Sequence, residues 1–442
     1  MSGLARIFLQ AGYTVSGSDI KETSITKKLR SQGAHIYNGH RANQIEGADM
    51  VVFSSAISAQ NPEIKEAQAR KVPLISRGKL VAQIANMKEN IIVAGTHGKT
   101  TTTALIAELL LREGLDFTLL IGGILKKINS NSQLGIGRWM LVESDESDGS
   151  FLYFHPTIAI VTNIENDHLN YYYSLKDLLQ AFTQFLKKVK PEGKVIVNID
   201  DPRLRYILRK IPKKKNVSTY GLCSKADISA FNINLEALKS SFEVRYKKNS
   251  LGRIEVPLPG MHNIYNCLAM IGVGITLGVS WEKIRKTFFY FKGVKRRLEK
   301  IGEVKDILIF DDYAHHPTEI KATLNEIKRL GKRVIVIFQP HRYTRTKLLW
   351  EEFTVAFDKV DLLLLTDIYP AGEVPLPGVD GKLFFEAVRK KRKSPTYYIP
   401  SKSKIIEFVK KEVKKKDIIL TLGAGDINEL SYQILQVLHS HN

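Results

Sequence analysis

Gly98, Lys99 and Thr100 stand together in "IIVAGTHGKTTTTALIAELLLREG", residues 91–114. A lysine between a glycine and a hydroxyl residue has the chemistry of a phosphate cradle. The glycine lets backbone approach phosphate oxygens, the lysine adds a point charge, and the hydroxyl can ligate Mg²⁺. A Walker A loop wants a glycine where this chain has Val93; the nearer Gly95 makes the pattern G-x-x-G-K-T. The flanks favour phosphate over a tight turn with a surface lysine. Ile91, Ile92 and Val93 are β-branched, as in an interior strand. Thr101 to Leu111 reads as a helix stopped by Gly114. A helix start offers unpaired N–H groups and partial positive charge to an anion.

Other polar clusters follow apolar runs. After "WMLV" (139–142) come Glu143, Asp145, Glu146 and Asp148, either a Mg²⁺-holding carboxylate at a strand end or a solvated loop. After "TIAIVT" (157–162) come Asn163, Glu165, Asp167 and His168; imidazole is an unusual Mg²⁺ ligand, so composition does not fix the histidine's role. Asn263 and Asn266, three apart at a helix start, can meet a base or phosphate, or cap the helix, and the cap is the simpler reading. "FDDYAHHPTE" (310–319), "FQPHRYTRT" (338–346), "LTDIYPAGE" (365–373) and "LGAGD" (422–426) each end a predicted strand. Four such loops offering Asp, His and Arg point to one shared site.

The elements that must position these groups alternate strand and helix through three α/β segments. Residues 1–87 form a small unit that opens on a helix, where a nucleotide fold opens on a strand and glycine loop; both are expected to be missing ahead of Met1. Residues 88–294 carry the phosphate loop on a parallel sheet, and 228–258 alternates with period two as an antiparallel extension. Residues 295–442 alternate again. The start lacks a basic-then-apolar leader. The run at 268–279 is too short to span a bilayer and reads as a buried helix. Cys223 and Cys267 form no metal or disulfide pattern, which fits a reducing cytosol. The net charge is +21, from 66 basic and 45 acidic residues. It is dispersed in runs such as Lys213–Lys215 and Lys414–Lys416 without interleaved aromatics. Solvated faces are therefore favoured over nucleic-acid binding, and membrane insertion is not expected.

The strings GTHGKTTT, ESDESDGSFL, TNIENDHL, GMHNIYNCLA, FDDYAHHPTE, FQPHRYTRT, DIYPAGE and GAGDI occur in the order of the Mur ligase family, which the chain resembles. The resemblance implies ATP-dependent amide formation in peptidoglycan precursor synthesis, and three domains: Rossmann-like at 1–87 for a UDP sugar, P-loop-type at 88–294 for ATP, Rossmann-like at 295–442 for an amino acid. DDYxHHPTE and FQPHRYTRT point to the branch that adds L-alanine to UDP-N-acetylmuramate. In that reading Gly95, Thr96, His97, Gly98, Lys99, Thr100 and Thr101 form the family's phosphate loop, with Lys99 on the phosphates. Thr100 and Glu143 would ligate one Mg²⁺ and His168 a second. Asn263 and Asn266 would lie on the adenine side, Arg296 or Arg297 would meet the γ-phosphate, and Asp312 would face the nucleotide. Tyr313, His315, His341, Arg342 and Arg345 would receive L-alanine, with His315 as a base of pKa near the operating pH. Ser18, Asp19, His40, Ser54, Ser55 and Ala56 would line the UDP-sugar pocket. Asn170 stands where the family usually has Asp. The rival readings are a sister ligase that reattaches recycled murein peptide, a nucleotide-dependent nucleic-acid-binding protein, and an inactive remnant.

Overall fold

A computed structural model describes residues 1–165 and 171–440. The chain forms two compact units. The first comprises Met1–Asn234, Ser240–Pro257 and Met261–Lys292; the second comprises Leu235–Lys239, Leu258–Gly260 and Gly293–Asn442.

The first unit opens on the amphipathic helix Ser2–Gln10. Two separate parallel pairs follow, Ser16–Asp19 with His35–Asn38 and Val51–Phe53 with Leu74–Ser76. The sequence reading expected one small sheet here and missed His35–Asn38, a short strand without an apolar run. A ten-stranded sheet dominates the unit. Its spatial order is Asn249–Val256, Ser240–Tyr246, Ile228–Leu235, Asn216–Gly221, Lys194–Asn198, Ile158–Val161, Glu89–Ala94, Trp139–Glu143, Phe117–Leu125, Ser130–Gln133. The expected antiparallel extension is present as the pair Ser240–Tyr246 with Asn249–Val256. Phe117–Leu125 was not expected.

Glu89–Ala94 lies at the centre, parallel to Trp139–Glu143 on one side and Ile158–Val161 on the other. Chain order reverses across it, and ligands of such sheets sit off the carboxyl ends at that crevice. Ile91, Ile92 and Val93 are fully buried, as their β-branched run requires. Beneath the sheet, Leu4, Ile7, Val81, Ile92, Val161, Phe151, Phe182 and Phe185 share one core. The helix Met261–Thr276 is buried through Leu268–Gly274, as its small-residue run predicts.

The second unit holds a six-stranded sheet in the order Glu299–Val304, Ile307–Asp312, Ile418–Leu422, Val334–Phe338, Leu362–Leu365, Thr396–Tyr398. Its pairs are parallel except the first, which is antiparallel and was not foreseen. Alternate residues feed cores on opposite faces: Phe310, Val336, Phe338 and Leu420 on one, Ile309, Ile335, Ile337 and Ile419 on the other. Burial on both faces explains why these strands read as unbroken apolar runs. Among the described residues no helix is long and apolar enough to cross a membrane, and neither cysteine is disulfide-bonded. The lysine runs 213–215 and 414–416 lie mostly exposed.

Candidate active site

The phosphate loop joins Glu89–Ala94 to the helix Lys99–Arg112. Val93 is strand here, in register with Glu143, so the loop is confined to Gly95–Gly98. Its glycines have a steric reason. Gly95 has φ +126°, and a Cβ there would lie 2.2 Å from Thr162 Oγ1. Gly98 has φ +81°, and a Cβ would lie 2.4 Å from Asn266 Oδ1. The rest of the loop is tied to the next strand end. Thr96 N donates to Asn163 O at 3.0 Å, and Glu165 N donates to Thr96 Oγ1 at 2.8 Å. His97 N donates to Asn163 Oδ1 at 2.9 Å. Thr101 follows, half-buried, on the first helical turn.

Lys99 Nζ donates to Gly95 O at 2.5 Å, Thr96 O at 3.2 Å and Glu146 Oε2 at 2.9 Å. Burial works to lower its pKa, yet the carboxylates of Glu146, Asp145 and Glu143 outweigh that and hold it above the ordinary lysine value. Glu146 is 1% exposed, and its backbone carbonyl accepts the Tyr172 hydroxyl at 2.6 Å. Thr100 Oγ1 donates to Glu143 Oε1 at 2.7 Å, and Gly122 N donates to Glu143 Oε2 at 2.6 Å. The two expected metal ligands are thus in contact. A hydroxyl beside one carboxylate suits Mg²⁺, which takes few protein oxygens and fills its shell with water and phosphate. Among the described residues no three His, Cys, Asp or Glu side chains converge as a self-sufficient metal site. His168, with Asp167 and Asn170, lies outside the described residues.

Asn263 and Asn266 lie within the first two turns of the helix Met261–Thr276. Asn266 Nδ2 donates to Asn263 Oδ1 at 3.0 Å, and Thr102 Oγ1 donates to Asn266 Oδ1 at 3.1 Å. The pair is buried against the phosphate loop.

In the second unit the strand ends gather the remaining groups. Asp311 and Asp312 close the strand Ile307–Asp312 and are both buried. Asp311 accepts from Thr421 Oγ1 at 2.6 Å and pairs with Arg296 Nε at 3.2 Å. The Arg296 fork also donates to the carbonyls of Gly423 and Gly425. Its guanidinium is therefore engaged inside the unit. The guanidinium carbons of Arg296 and Arg297 lie over the Tyr313 ring, at 5.0 and 5.4 Å. Asp312 accepts from Leu298 N at 2.6 Å and Ala314 N at 2.7 Å; burial pushes its carboxyl up to about 6, against the pull of Arg297.

His315 Nδ1 lies 3.0 Å from Tyr313 O. A carbonyl only accepts, so Nδ1 carries the proton and Nε2 is the bare nitrogen. Burial lowers the His315 pKa to about 4, with Glu319 opposing and Arg345 reinforcing. The expected value near the operating pH is therefore corrected downward. His341 stacks on Tyr369 at 5.6 Å between centroids and accepts from Arg345 Nη1 at 3.2 Å. Burial, then the charges of neighbours, lowers its pKa to about 3. Arg342 opens the helix Tyr343–Leu348 with φ +71° and ψ +135°, a strained backbone held by its N–H bond to Tyr369 O at 2.8 Å. Such strain concentrates at functional positions. Glu373, which residue typing did not single out, takes Thr344 N at 3.0 Å and Thr344 Oγ1 at 2.6 Å, fixing that helix start. Gly122 was missed in the same way, since its partner Glu143 is distant in sequence.

The proposed UDP-sugar residues follow strands of the first unit. Ser18 and Asp19 end Ser16–Asp19. His40 lies just past His35–Asn38, and Ser18 Oγ is 2.8 Å from its Nδ1. Ser54, Ser55 and Ala56 follow Val51–Phe53, where Ala56 N donates to Ser54 Oγ at 3.3 Å.

Comparison with known proteins covers the whole chain. Residues 1–89 match the Mur ligase family catalytic domain, 93–274 the Mur ligase middle domain and 296–425 the Mur ligase glutamate ligase domain. A UDP-N-acetylmuramate–L-alanine ligase of Geotalea daltonii is 44% identical over 99% of this chain and 95% of its own length. The enzyme of that name from Aquifex aeolicus is likewise 44% identical over 99% and 95%. The solved structure of UDP-N-acetylmuramate-alanine ligase MurC from Thermotoga maritima has a TM-score of 0.86 at 27% identity, covering 100% of this chain and 97% of that one.

Proposed function

The chain belongs to the Mur ligase family; from that premise we propose that it joins L-alanine to the lactyl carboxylate of UDP-N-acetylmuramate, converting ATP to ADP and phosphate. The observation that carries this reading is the contact of Thr100 with Glu143 beside Lys99, in a chain alike end to end with ligases of that name. The three matched segments support assigning 1–87 to the UDP sugar, 88–294 to ATP and 295–442 to the amino acid.

Carboxylate and amine do not condense at neutral pH, because the leaving oxygen is poor. One lactyl oxygen attacks the γ-phosphorus of ATP; an O–P bond forms and the bond to ADP breaks. Every reacting oxygen is negative, and fixed positive charge lowers that barrier. Lys99 supplies it on the loop, and Arg296 or Arg297 is the second candidate. Mg²⁺, held by Thr100 and Glu143 when bound, supplies further screening of phosphate oxygens. The alanine amine then attacks the acyl carbon, the C–N bond forms, and phosphate leaves with the C–O electrons. The amine proton passes to Nε2 of His315. Arg342 and Arg345 present forks that match the alanine carboxylate. The sister ligase acting on recycled murein peptide is the nearest rival. A cytoplasmic site of action fits the ATP requirement and the two unbonded cysteines; a monomer or homodimer is the expected assembly.

The test is phosphate release by the purified chain with ATP, Mg²⁺ and UDP-N-acetylmuramate, adding L-Ala, L-Ser, Gly or murein tripeptide in turn. Release is expected with L-Ala above the others. Turnover with the tripeptide alone would move the chain to the sister activity, and no release with any acceptor would refute ligation.

A further inference from the structure

Ser18, His40 and Glu63 form a hydrogen-bonded row in the first unit. Ser18 Oγ lies 2.7 Å from Glu63 Oε2 and 2.8 Å from His40 Nδ1, and His40 Nδ1 is 3.6 Å from Glu63 Oε2. Serine, histidine and acid together resemble a hydrolase inventory, but the order differs. In a nucleophilic triad the histidine stands between serine and acid. Here the serine stands in the middle, so nothing prepares its oxygen for attack.

The proton count assigns every role. An ionised carboxylate only accepts, so the single Ser18 hydroxyl proton points to Glu63. The serine oxygen then offers His40 lone pairs alone, and Nδ1 must carry the imidazole proton. In the neutral ring Nε2 is therefore a bare acceptor. The His40 side chain is 20% exposed and Glu63 17%, so both are partly open to solvent and the acceptor can reach a ligand. Glu63 also has a local reason to exist. It follows the Asn61 cap and Pro62 at the start of the helix Pro62–Ala69, where an acid suits the helix dipole. That reason does not explain why its carboxylate meets a strand residue 45 positions away.

We propose that Glu63 is a positioning residue: by taking the Ser18 proton it sets the His40 tautomer, so that Nε2 accepts the imide N–H of a uracil ring. This rests on the reading of Ser18 and His40 as part of the UDP-sugar pocket. Uracil carries a proton on its ring nitrogen between the two carbonyls. Cytosine carries a lone pair at the same position, which would face the lone pair of Nε2. A site that hydrogen-bonds one ligand and leaves polar groups unpaired with its analogue discriminates strongly.

The test uses the full chain carrying ¹⁵N-histidine. Two-bond proton–nitrogen correlations read the His40 tautomer, assigned by its loss in His40→Gln, and calorimetry compares UDP with CDP. The parent is expected to show the Nδ1–H form and to prefer UDP by about 100-fold. In Glu63→Gln the amide can donate to the serine oxygen and turn the serine proton toward His40. The ring should then shift to the Nε2–H form, and the preference should fall below about 10-fold. Glu63→Ala frees the serine proton to turn toward His40 and should act in the same direction, and it carries the test if Glu63→Gln fails to fold. UDP binding that perturbs His40, with tautomer and preference unchanged in both variants, would overturn the proposal alone. UDP binding that leaves the His40 signals untouched, with His40→Gln binding as the parent does, would overturn the pocket assignment itself.

Discussion

The phosphate loop and the histidine cluster treat charge in opposite ways. Around Lys99, the buried Glu146 and the nearby carboxylates of Asp145 and Glu143 keep the ammonium charged against the cost of burial. Around His315 and His341, burial and nearby arginines strip the proton from both imidazoles, and Asp312 is pushed toward its neutral form. One region maintains a fixed positive charge, as a polyanionic substrate demands. The other maintains neutral groups that can gain or pass a proton. Phosphoryl transfer and amine attack make just these separate demands.

The largest effect should come from removing the fixed charge. Lys99→Ala is expected to cut kcat/KM for ligation by about 10³-fold or more, on the scale of losing a main electrostatic stabiliser. Its circular dichroism spectrum should match the parent. A variant within 10-fold of the parent would break the contrast at its charged end, leaving Lys99 a structural lysine.

The neutral end is tested by pH. His315→Gln should lower kcat by about 10²-fold, in the range for losing a general base. In the parent, His315 is unprotonated above a pKa of about 4. A base must be unprotonated to act, so its acid limb should fall near pH 4, and kcat should not drop on account of His315 between pH 8 and 6. A limb at the ordinary histidine value, absent in His315→Gln, would show that burial does not neutralise the ring.

Arg342→Ala should raise the alanine KM by about 10-fold while moving the ATP KM far less, the loss of one charge-assisted fork. Equal changes in both would remove Arg342 from the amino-acid site and blur the division between the regions.

The two regions also differ in how far residue types alone revealed them. Gly98, Lys99 and Thr100 were readable because backbone reach, charge and hydroxyl are contiguous, and Glu143 because it ends an apolar strand. Adjacent strands then bring Glu143 to Thr100 by register. The histidine cluster was readable as residue types only. Protonation depends on burial and on Arg345 and Arg297 arriving from other segments, and no local pattern encodes that. The anchoring of Arg296 was likewise hidden, since it rests on the Gly423 and Gly425 carbonyls. The contact of the Asn263–Asn266 pair with Thr102 was hidden because Thr102 is 164 residues from Asn266. Phe117–Leu125 also escaped; within it Gly122 sits where a Cβ would lie 2.7 Å from Glu143 Oε1.

The smallest expected effect is the most specific to architecture. Glu373 touches Thr344, between Arg342 and Arg345, and accepts from both its backbone N–H and its hydroxyl. An amide in its place can keep both contacts, its oxygen accepting from Thr344 N and its N–H donating to Thr344 Oγ1, but both lose the charge that strengthens them. That loss is on the order of 1 kcal/mol, enough to loosen the strained start at Arg342 without unfolding the sheet behind it. Glu373→Gln should therefore raise the alanine KM about three- to fivefold and leave the ATP KM and the melting temperature nearly unchanged. A matching rise in the ATP KM would mean that the helix start serves the nucleotide as well. No change in either would mean that Arg342 keeps its geometry without this clamp, and that its bond to Tyr369 O alone holds the strain.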